Sequence, residues 1–450
     1  MSTAAPAPSK ARVAIAVAVG NFMEWFDFAV YGFFAVTIGH LFFPENTDPL
    51  VSLLSSFAVF AVGFFMRPLG GFILGPIGDR YGRRAALMIS VLSMGISTTL
   101  IGILPVYSVV GLLAPVLLVL CRCVQGLSAG GEWTGSSAYL IESTPTKHRG
   151  KFGSIISATA ALATIAGSLF ALFLNNTLSD DALVSWGWRL PFLMAAPLAL
   201  VGLYIRMKLG ETPVYESVAE QGEVLKKKSP LVDSVRYHWK QILLTLAIAA
   251  VQGTGFYYLA TFTVNYLTET VGFDRGPALG MSAIGLTVYM VLCPIAGALS
   301  DRFGRRRLNI IGTIGYILLP LPVFWMMSNG SPSIVVIGMV LLTMTQSLVS
   351  VTTVVMLTEL FPANNRSSGS AIGFNIALAF IAGPASYIGT WLVSATGVET
   401  SPSWYLIVLA VIALPFLWKW LPETAGRDIT TMHSAGETQT VVTAKGGDRV

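Results

Sequence analysis

The fold of this 450-residue chain is decided by a short stretch that occurs twice. Residues 78–88 read GDRYGRRAALM, and residues 300–310 read SDRFGRRRLNI. In each copy an acidic residue, Asp79 or Asp301, precedes a Gly-Arg-Arg sequence, and the two acids lie 222 positions apart. Internal similarity at this distance indicates that one structural unit is present in two copies.

Two further pairs of loops recur with nearly the same spacing. IESTPTKHRG at 141–150 returns as TELFPANNRS at 358–367, with the glutamate and the arginine of each copy 217 positions apart. GETP at 210–213 is echoed by LPET at 421–424. The nearly constant offset indicates two homologous halves rather than chance similarity.

The composition is that of a membrane protein. Charged residues make up 11% of the chain and hydrophobic residues 54%, whereas soluble domains carry roughly 25% charged residues. Apolar runs long enough to cross a bilayer as helices, about 17–25 residues, recur from end to end. They predict twelve spans, at 13–42, 51–78, 86–105, 109–141, 151–174, 188–207, 240–269, 277–300, 308–328, 333–358, 368–396 and 403–420.

These features predict an all-α polytopic membrane protein with twelve transmembrane helices in two parallel-repeat six-helix bundles. Basic residues concentrate in alternate loops, which by the positive-inside rule predicts that both termini are cytoplasmic. We expect a cytoplasmic lead, an N-terminal bundle, a cytoplasmic linker, a C-terminal bundle and a cytoplasmic tail, at residues 1–12, 13–208, 209–238, 239–421 and 422–450.

Other classes of protein are disfavoured. The net charge of +5 belongs to loops between apolar spans, so it does not predict nucleic-acid binding. Cys121, Cys123 and Cys293 all lie within apolar spans, which predicts neither a disulfide framework nor a metal site. No nucleophile elbow surrounds the serines of EWTGSS and no phosphate-binding loop occurs, so we expect neither an enzyme nor a cofactor.

Several motifs resemble those of a known family. GDRYGRR, SDRFGRR and RCVQGLSAGGEW are similar to loop and fourth-helix signatures of the major facilitator superfamily. A narrower resemblance, to the metabolite:proton symporters that carry proline/betaine, 2-oxoglutarate, shikimate or citrate, rests on GNFMEWFDFAVYG, RPLGG, GLSAGGEWTG, WGWRLPF and ETP. This resemblance covers nearly the whole chain and implies proton-coupled import by alternating access. The duplicated loops favour such a carrier over an open channel.

Five ionisable residues lie deep in the predicted spans of the first half: Glu24, Asp27, Arg67, Arg122 and Glu132. Charges at such depth are costly and usually face a cavity and a partner. A helical rise of about 1.5 Å per residue puts Glu24 and Arg67 at the same level, about 18 Å from the cytoplasmic side, so the two residues can pair.

We hypothesise that these charges couple transport to protons. Either Glu24 or Asp27, with Glu132 as a further candidate, would take the proton. Arg67 and Arg122 would set the carboxylate pKa through a changing distance. The alternative is that the pairs are static and only specify helix packing.

The repeated loops are candidate gates, since their charges sit at helix ends and can bridge to neighbouring helix ends when the cytoplasmic side is closed. The resemblance implies a conformational latch, and the alternative is that these charges only set topology. The candidates are Asp79, Arg80, Arg83, Arg84, Glu142, Arg149, Asp301, Arg302, Arg305, Arg306, Glu359 and Arg366.

The solute is predicted less sharply. Aromatic rings and a carboxylate suit a cation, and an arginine suits a carboxylate, which favours a zwitterionic osmolyte such as proline or glycine betaine. Carboxylate metabolites such as 2-oxoglutarate, citrate or shikimate remain the alternative, although the two arginines are expected to be occupied by Glu24 and Glu132. The candidate binding residues are Asn21, Phe28, Tyr31, Gln125, Trp133, Thr254, Tyr258, Thr261, Asn265, Gln346 and Asn375.

The remaining predictions concern partners and location. We expect a functional monomer in the inner (plasma) membrane of a bacterium, interacting with a small solute, protons and membrane lipid. The linker sequence LKKKSP is expected to lie near anionic headgroups. The tail from 428 to 450 has no heptads, so coiled-coil regulation is not predicted.

Overall fold

A computed structural model describes residues 10–44, 49–220 and 230–429, which form helices and the turns between them. Residues 1–9 of the predicted lead, 221–229 of the predicted linker and 430–450 of the predicted tail lie outside the described residues.

The first half contains six long helices, and α1 is followed after one residue by a shorter helix, Ala35–Phe42. The six are α1 (Lys10–Phe33), α2 (Pro49–Arg80), α3 (Arg83–Ile103), α4 (Leu113–Glu142), α5 (Arg149–Thr177) and α6 (Asp180–Met207).

A short linker helix, Pro213–Glu220, precedes the second half. Helix α9 is bent by 46° between Arg305–Leu318 and Pro320–Asn329. With this pair counted as one span, the described part of the chain has twelve helices that are long and apolar enough to cross a membrane. The fold class predicted from the sequence is thus confirmed. The other helices are α7 (Pro230–Thr270), α8 (Arg275–Phe303), α10 (Pro332–Glu359), α11 (Ala363–Thr396) and α12 (Pro402–Trp420).

Apolar side chains cover the outside of the helices while polar ones turn inward. Ile96, Leu120 and Ile412 are more than half exposed, which suits contact with lipid. In a bilayer the backbone must satisfy its own hydrogen bonds, so helices are the available spanning element. The interior therefore contains the ionisable groups that the sequence placed within the spans.

Small residues bring α2 and α4 into close contact. A Cβ atom on Gly130 of α4 would collide with the backbone of Arg67 and Gly71 in α2. Such close helix approach through small residues is typical of membrane proteins. It fixes the backbone of Arg67 against α4, so that the arginine side chain extends toward α1.

The two bundles, α1–α6 and α7–α12, meet most extensively through two helix pairs, α2 with α11 and α5 with α8, and α4 and α5 also contact α10. These pairs are equivalent under the internal repeat, because α8 corresponds to α2 and α11 to α5. Gly150 and Gly297 face each other across the α5–α8 contact, where a Cβ on either would strike the other's backbone.

The repeated loops adopt the same conformation in both copies. Gly82 and Gly304 have φ values of 99° and 96°, in a region that favours glycine. The Glu211 carboxylate accepts hydrogen bonds from the backbone N–H groups of Arg83 and Arg84 at the start of α3. Glu423 binds the start of α9 in the same way. The GETP and LPET echoes thus supply equivalent N-terminal caps, a favourable place for an anion.

We call the end of the bundles that carries these loops the repeat-motif face. It is the end that the sequence predicts to be cytoplasmic. Burial raises the pKa of Glu211 above its usual value, and hydrogen bonds from the Thr212 and Arg84 amides oppose this rise.

Replacing the loop glycines should destabilise the protein. Gly82→Ala and Gly304→Ala force a Cβ into a positive-φ conformation and against the carboxylate of Glu211 or Glu423. We expect a loss of about 1–3 kcal/mol in each case, measured as reduced thermal stability in detergent. Gly276→Ala is the control, because a Cβ there meets nothing within 4 Å. Equal stability of all three variants would contradict the proposed strain.

Candidate functional site

Glu24 of α1 and Arg67 of α2 form a buried ion pair, with Arg67 Nη2 donating to Glu24 Oε1 over 2.7 Å. The pairing follows the sequence estimate of equal depth. Glu24 Oε2 and the Nε and Nη1 groups of Arg67 have no protein partner. The guanidinium lies over the rings of Phe28 and Phe64, 4.8 and 5.3 Å from their centroids. The pair therefore retains both donor and acceptor capacity for another molecule.

Asp27 belongs to a second, more complete network. Arg122 donates to Asp27 Oδ2 at 3.0 Å and to Gln125 Oε1 at 2.7 Å. The Gln125 amide donates in turn to Asp27 Oδ1 and to the Thr98 hydroxyl. Both Asp27 oxygens are thus satisfied inside the N-terminal bundle, whereas Arg122 keeps Nε and Nη2 without partners. Its guanidinium stacks 3.6 Å from the centroid of the Tyr31 ring.

Glu132 pairs with a residue that the sequence analysis did not select. Arg206 of α6 donates to both Glu132 oxygens, at 2.5 and 3.1 Å, and also to the backbone oxygen of Leu87. Arg206 is buried. Its position in the last turn of the helix, inside the apolar span predicted at 188–207, is the sequence signal for this role.

This contact corrects the expected charge balance. The sequence predicts that Glu132 pairs with one of two arginines, and the five deep ionisable residues that it identifies are three acids and two bases. The structure instead contains three one-to-one pairs, Glu24–Arg67, Asp27–Arg122 and Glu132–Arg206. The N-terminal bundle is formally neutral at this depth.

Aromatic side chains from both bundles surround the Glu24–Arg67 pair. Trp25, Phe28, Phe64 and Tyr257 form a closed loop of ring contacts, with centroids 5.2–6.2 Å apart. Tyr257 lies on α7, so the loop crosses the boundary between the bundles. We call these four residues the aromatic loop. Such rings offer both apolar surface and a π face for a cation.

Predicted binding residues of the N-terminal bundle lie in two environments. Phe28 belongs to the aromatic loop, and Trp133 stacks on Phe374 of α11 at 5.7 Å and contacts Trp25. Asn21 and Tyr31 instead bond within their own bundle: Asn21 donates to the Ile156 carbonyl and the Thr159 hydroxyl, and Tyr31 to the Ser56 carbonyl. Gln125 accepts a hydrogen bond from Arg122 and donates one to Asp27.

Three of the predicted binding residues on α7, Tyr258, Thr261 and Asn265, have surroundings other than the aromatic loop. The Tyr258 hydroxyl donates to the Pro402 carbonyl inside the C-terminal bundle. Thr261 and Asn265 are exposed, and the Thr261 hydroxyl contacts that of Ser386. Two π-helical turns, Tyr258–Phe262 and Tyr266–Thr270, change the register. A regular helical repeat therefore does not describe which side chains of α7 share a face beyond Tyr257.

Three other predicted residues of the C-terminal bundle are buried. The Thr254 hydroxyl has no protein partner. Gln346 accepts a hydrogen bond from Tyr316 and donates to the Gln252 carbonyl. Asn375 crosses the bundle boundary and donates to the Gly130 carbonyl over 2.7 Å.

The repeat-motif face is closed by two equivalent helix caps that cross between bundles. Asp79 accepts hydrogen bonds from the N–H groups of Ser367 and Ser368 in the first turn of α11, at 3.1 and 2.9 Å. Asp301 accepts from the N–H groups of Gly150 and Lys151 at the start of α5, at 2.8 and 3.0 Å. Each bundle thus caps a helix of the other.

Two buried glutamates add a second layer to this closure. Glu142 binds Arg83 of its own bundle and Arg366 of the other, at 3.3 and 2.6 Å. The second copy is looser. Glu359 lies 3.5 Å from Arg305 of its own bundle and 3.4 Å from Arg149 of the other.

The chain after α12 runs across the same closure. Arg149 donates to the Arg427 carbonyl, and Arg366 donates to the Ile429 carbonyl. Ile429 is fully buried and packs with Val214 and Ala363. Both bundles therefore hold this segment.

Other predicted gating residues make contacts within their own bundle or lie at the surface. Arg84 donates to the Arg206 and Met207 carbonyls at the end of α6, and Arg306 donates to the Trp418 carbonyl near the end of α12. The Arg80 carbonyl accepts from Tyr215 of the linker helix. Arg302 is exposed and lies over Phe303.

Comparison with known sequences identifies relatives along most of the chain. The sequence pattern of the Major Facilitator Superfamily matches residues 17–386. The glycine betaine/proline/ectoine/pipecolic acid transporter OusA of Dickeya dadantii is 35% identical over 422 residues, 92% of this chain and 83% of the relative. The proline/betaine transporter of Salmonella typhimurium is 36% identical over 429 residues, 93% of this chain and 85% of the relative. These matches confirm the resemblance inferred from the motifs.

Solved structures share the fold. A double tryptophan mutant of XylE superposes with a TM-score of 0.81 at 18% identity, covering 94% of this chain and 98% of that one. The inward open conformation of XylE from E. coli superposes with a TM-score of 0.65, also at 18% identity and with the same coverage.

Neutralising the cross-bundle caps should open the repeat-motif face. In Asp79→Asn and Asp301→Asn, an amide group replaces one acceptor oxygen and faces backbone N–H donors. Each lost hydrogen bond to a charged acceptor removes about 1.5–3 kcal/mol. Spin labels at Tyr81→Cys and Phe303→Cys, in a background without the three native cysteines, should report a longer distance in both variants. Asp180→Asn, an exposed acid at the start of α6, should leave the distance unchanged. An unaltered distance in the cap variants would contradict their gating role.

Proposed function

The chain belongs to the Major Facilitator Superfamily, and from that premise we propose that it imports a zwitterionic osmolyte, such as proline or glycine betaine, together with protons by alternating access. Its location would be the inner membrane of a bacterium, with both termini in the cytoplasm, and it would work as a monomer. The observation that carries the proposal is the Glu24–Arg67 pair, whose unpartnered groups lie beside an aromatic loop shared by both bundles.

The chemistry of this site suits a molecule with both charges. Arg67 has two unpartnered nitrogens, Nε and Nη1, whose N–H groups can donate to a carboxylate. Glu24 has one unpartnered oxygen, Oε2, that can accept a hydrogen bond or interact with a cation. Aromatic rings favour cations whose charge is spread over apolar groups. The transporters from Dickeya dadantii and Salmonella typhimurium, whose names include proline and betaine, support the same solute class.

A di- or tricarboxylate fits less well. Each of the three deep arginines in the N-terminal bundle already has one carboxylate partner. A substrate with two or three negative charges would need additional cations, and binding it here would leave uncompensated charge in a poorly solvated space. A zwitterion adds no net charge.

Coupling follows from competition for an arginine. When the solute carboxylate binds Arg67, Glu24 loses its counter-charge, and in a site shielded from water the neutral, protonated form of Glu24 is then favoured. Solute and proton would consequently bind together. Asp27 qualifies as a second carrier of the proton, because its protonation would release Arg122 from the same kind of pair.

Alternating access uses the closure at the repeat-motif face. The Asp79 and Asp301 caps and the Glu142 and Glu359 pairs would break as the bundles rock, which exposes the central site to the cytoplasm. Equivalent bonds occur in both copies of the internal repeat. When these bonds break, each bundle would move as a rigid unit.

Transport assays test the solute class directly. In proteoliposomes with an inwardly directed proton gradient, we expect accumulation of labelled proline or glycine betaine, abolished when the gradient is collapsed. 2-Oxoglutarate, citrate and shikimate, supplied in excess, should neither accumulate nor compete. Accumulation of a carboxylate metabolite in place of the zwitterions, or undiminished zwitterion uptake without the gradient, would overturn the proposal.

Two isosteric substitutions identify the coupling carboxylate. If solute and Glu24 compete for Arg67, wild-type affinity for glycine betaine rises as pH falls, because protonation of Glu24 frees the arginine. Glu24→Gln should remove this pH dependence and uncouple uptake from the gradient, while exchange of solute down its own gradient continues. The measurement is betaine affinity across a pH series, alongside gradient-driven uptake.

Asp27→Asn is the matched variant, since it neutralises the other arginine-bound acid of α1. Loss of the pH dependence in Asp27→Asn and its retention in Glu24→Gln would assign the proton to Asp27 instead. Retention in both would remove the two carboxylates from the coupling mechanism.

A further inference from the structure

We propose that Tyr257 is the solute-binding residue contributed by the C-terminal bundle, and that its hydroxyl donates to the solute carboxylate beside Arg67. This inference rests on the proposed function and assigns a specificity-determining role to a residue that the sequence pattern passed over in favour of its neighbour Tyr258.

The hydrogen-bonding state of the Tyr257 hydroxyl is unusual. Tyr257 is buried, with 6% of its surface exposed, and its hydroxyl has no protein hydrogen-bond partner. Buried hydroxyls are normally bonded, and an exception calls for an explanation. The adjacent Tyr258 shows the normal case, because its hydroxyl donates to the Pro402 carbonyl. The two tyrosines thus differ in whether a partner is missing.

Tyr257 lies at the boundary between the two bundles. The Tyr257 ring contacts Trp25 and Phe64 of the other bundle, with centroids 5.8 and 5.5 Å apart. The Phe64 ring that Tyr257 contacts also lies against the Arg67 guanidinium. The unpartnered hydroxyl of Tyr257 therefore lies in the same region as the unpartnered nitrogens of Arg67 and the unpartnered oxygen of Glu24.

The two ends of the aromatic loop differ in the groups that they present. Arg67 covers Phe28 and Phe64, so one end of the loop presents N–H and O–H donors to an anion. At the other end Trp25 meets Trp133 and Phe256, at 6.0 and 4.7 Å, and these rings present apolar and π surface to a cation. A molecule with a carboxylate close to a methylated or ring ammonium matches both ends.

Binding at this point would also link the two bundles. The rings fill the site in this structure, so a solute must separate Tyr257 from Trp25 or Phe64 as it enters. Once bound, it would bridge Arg67 of one bundle and Tyr257 of the other, which gives the solute a direct influence on their relative position.

Removing one hydroxyl tests the assignment. In Tyr257→Phe the ring contacts remain but the donor is lost. A hydrogen bond to a charged group typically corresponds to about 10- to 100-fold in affinity. We therefore expect the KM for glycine betaine uptake to rise by about that factor, with kcat changed less than KM. Inhibition of betaine uptake by choline, which has the cation but no carboxylate, should be unchanged.

Tyr258→Phe is the matched control, because it removes an adjacent hydroxyl that already has a protein partner. Its KM should remain that of the wild type, and the melting temperatures of both variants in detergent establish that they are folded. An unchanged KM in Tyr257→Phe, equal effects in the two variants, or equal weakening of betaine and choline would overturn the inference. Absence of choline inhibition in the wild type would contradict the assignment of the rings around Trp25 to the solute cation. Failure of the wild type to take up any zwitterion would instead overturn the proposed function.

Discussion

The requirement that every deep charge has an opposite charge beside it governs this protein. An ionised group near the bilayer centre is costly even by lenient measures, and removing one member of a buried pair costs about 3–5 kcal/mol. The N-terminal bundle meets the requirement with three pairs, each joining two different helices. The same requirement makes any exchange of partners a coupled event, because a carboxylate that loses its arginine must gain either a proton or another cation.

The three pairs differ in which of their polar atoms lack hydrogen-bond partners. Asp27 is satisfied by Arg122 and Gln125, whereas the Glu24–Arg67 pair leaves donors and an acceptor unused beside the aromatic loop. Glu132 and Arg206 are joined at both carboxylate oxygens. The pair with an unpartnered carboxylate oxygen thus lies beside the ring contacts that cross the bundle boundary, whereas both carboxylate oxygens of Asp27 and of Glu132 are bound by side chains of the N-terminal bundle.

The repeat-motif face applies the same principle to the contacts between the two bundles. Asp79 and Asp301 bind helix N-termini of the opposite bundle, where backbone N–H groups lack intrahelical partners. Glutamates beneath them are each shared between arginines of the two bundles. Because these bonds use groups at helix ends, they can break without unwinding any helix, as the proposed alternating-access cycle requires.

The sequence by itself determined the twelve spans, the duplication and the depth of the charged residues, because hydrophobic length and motif spacing are local properties of the chain. The equal depth estimated for Glu24 and Arg67 also predicted that these two residues can pair. Only the tertiary structure decided that Glu132 binds Arg206, that Asp79 caps α11 and that Tyr257 rather than Tyr258 faces the other bundle. Those outcomes depend on the rotation of each helix about its axis and on π-helical turns, which shift register in a way that regular periodicity does not contain.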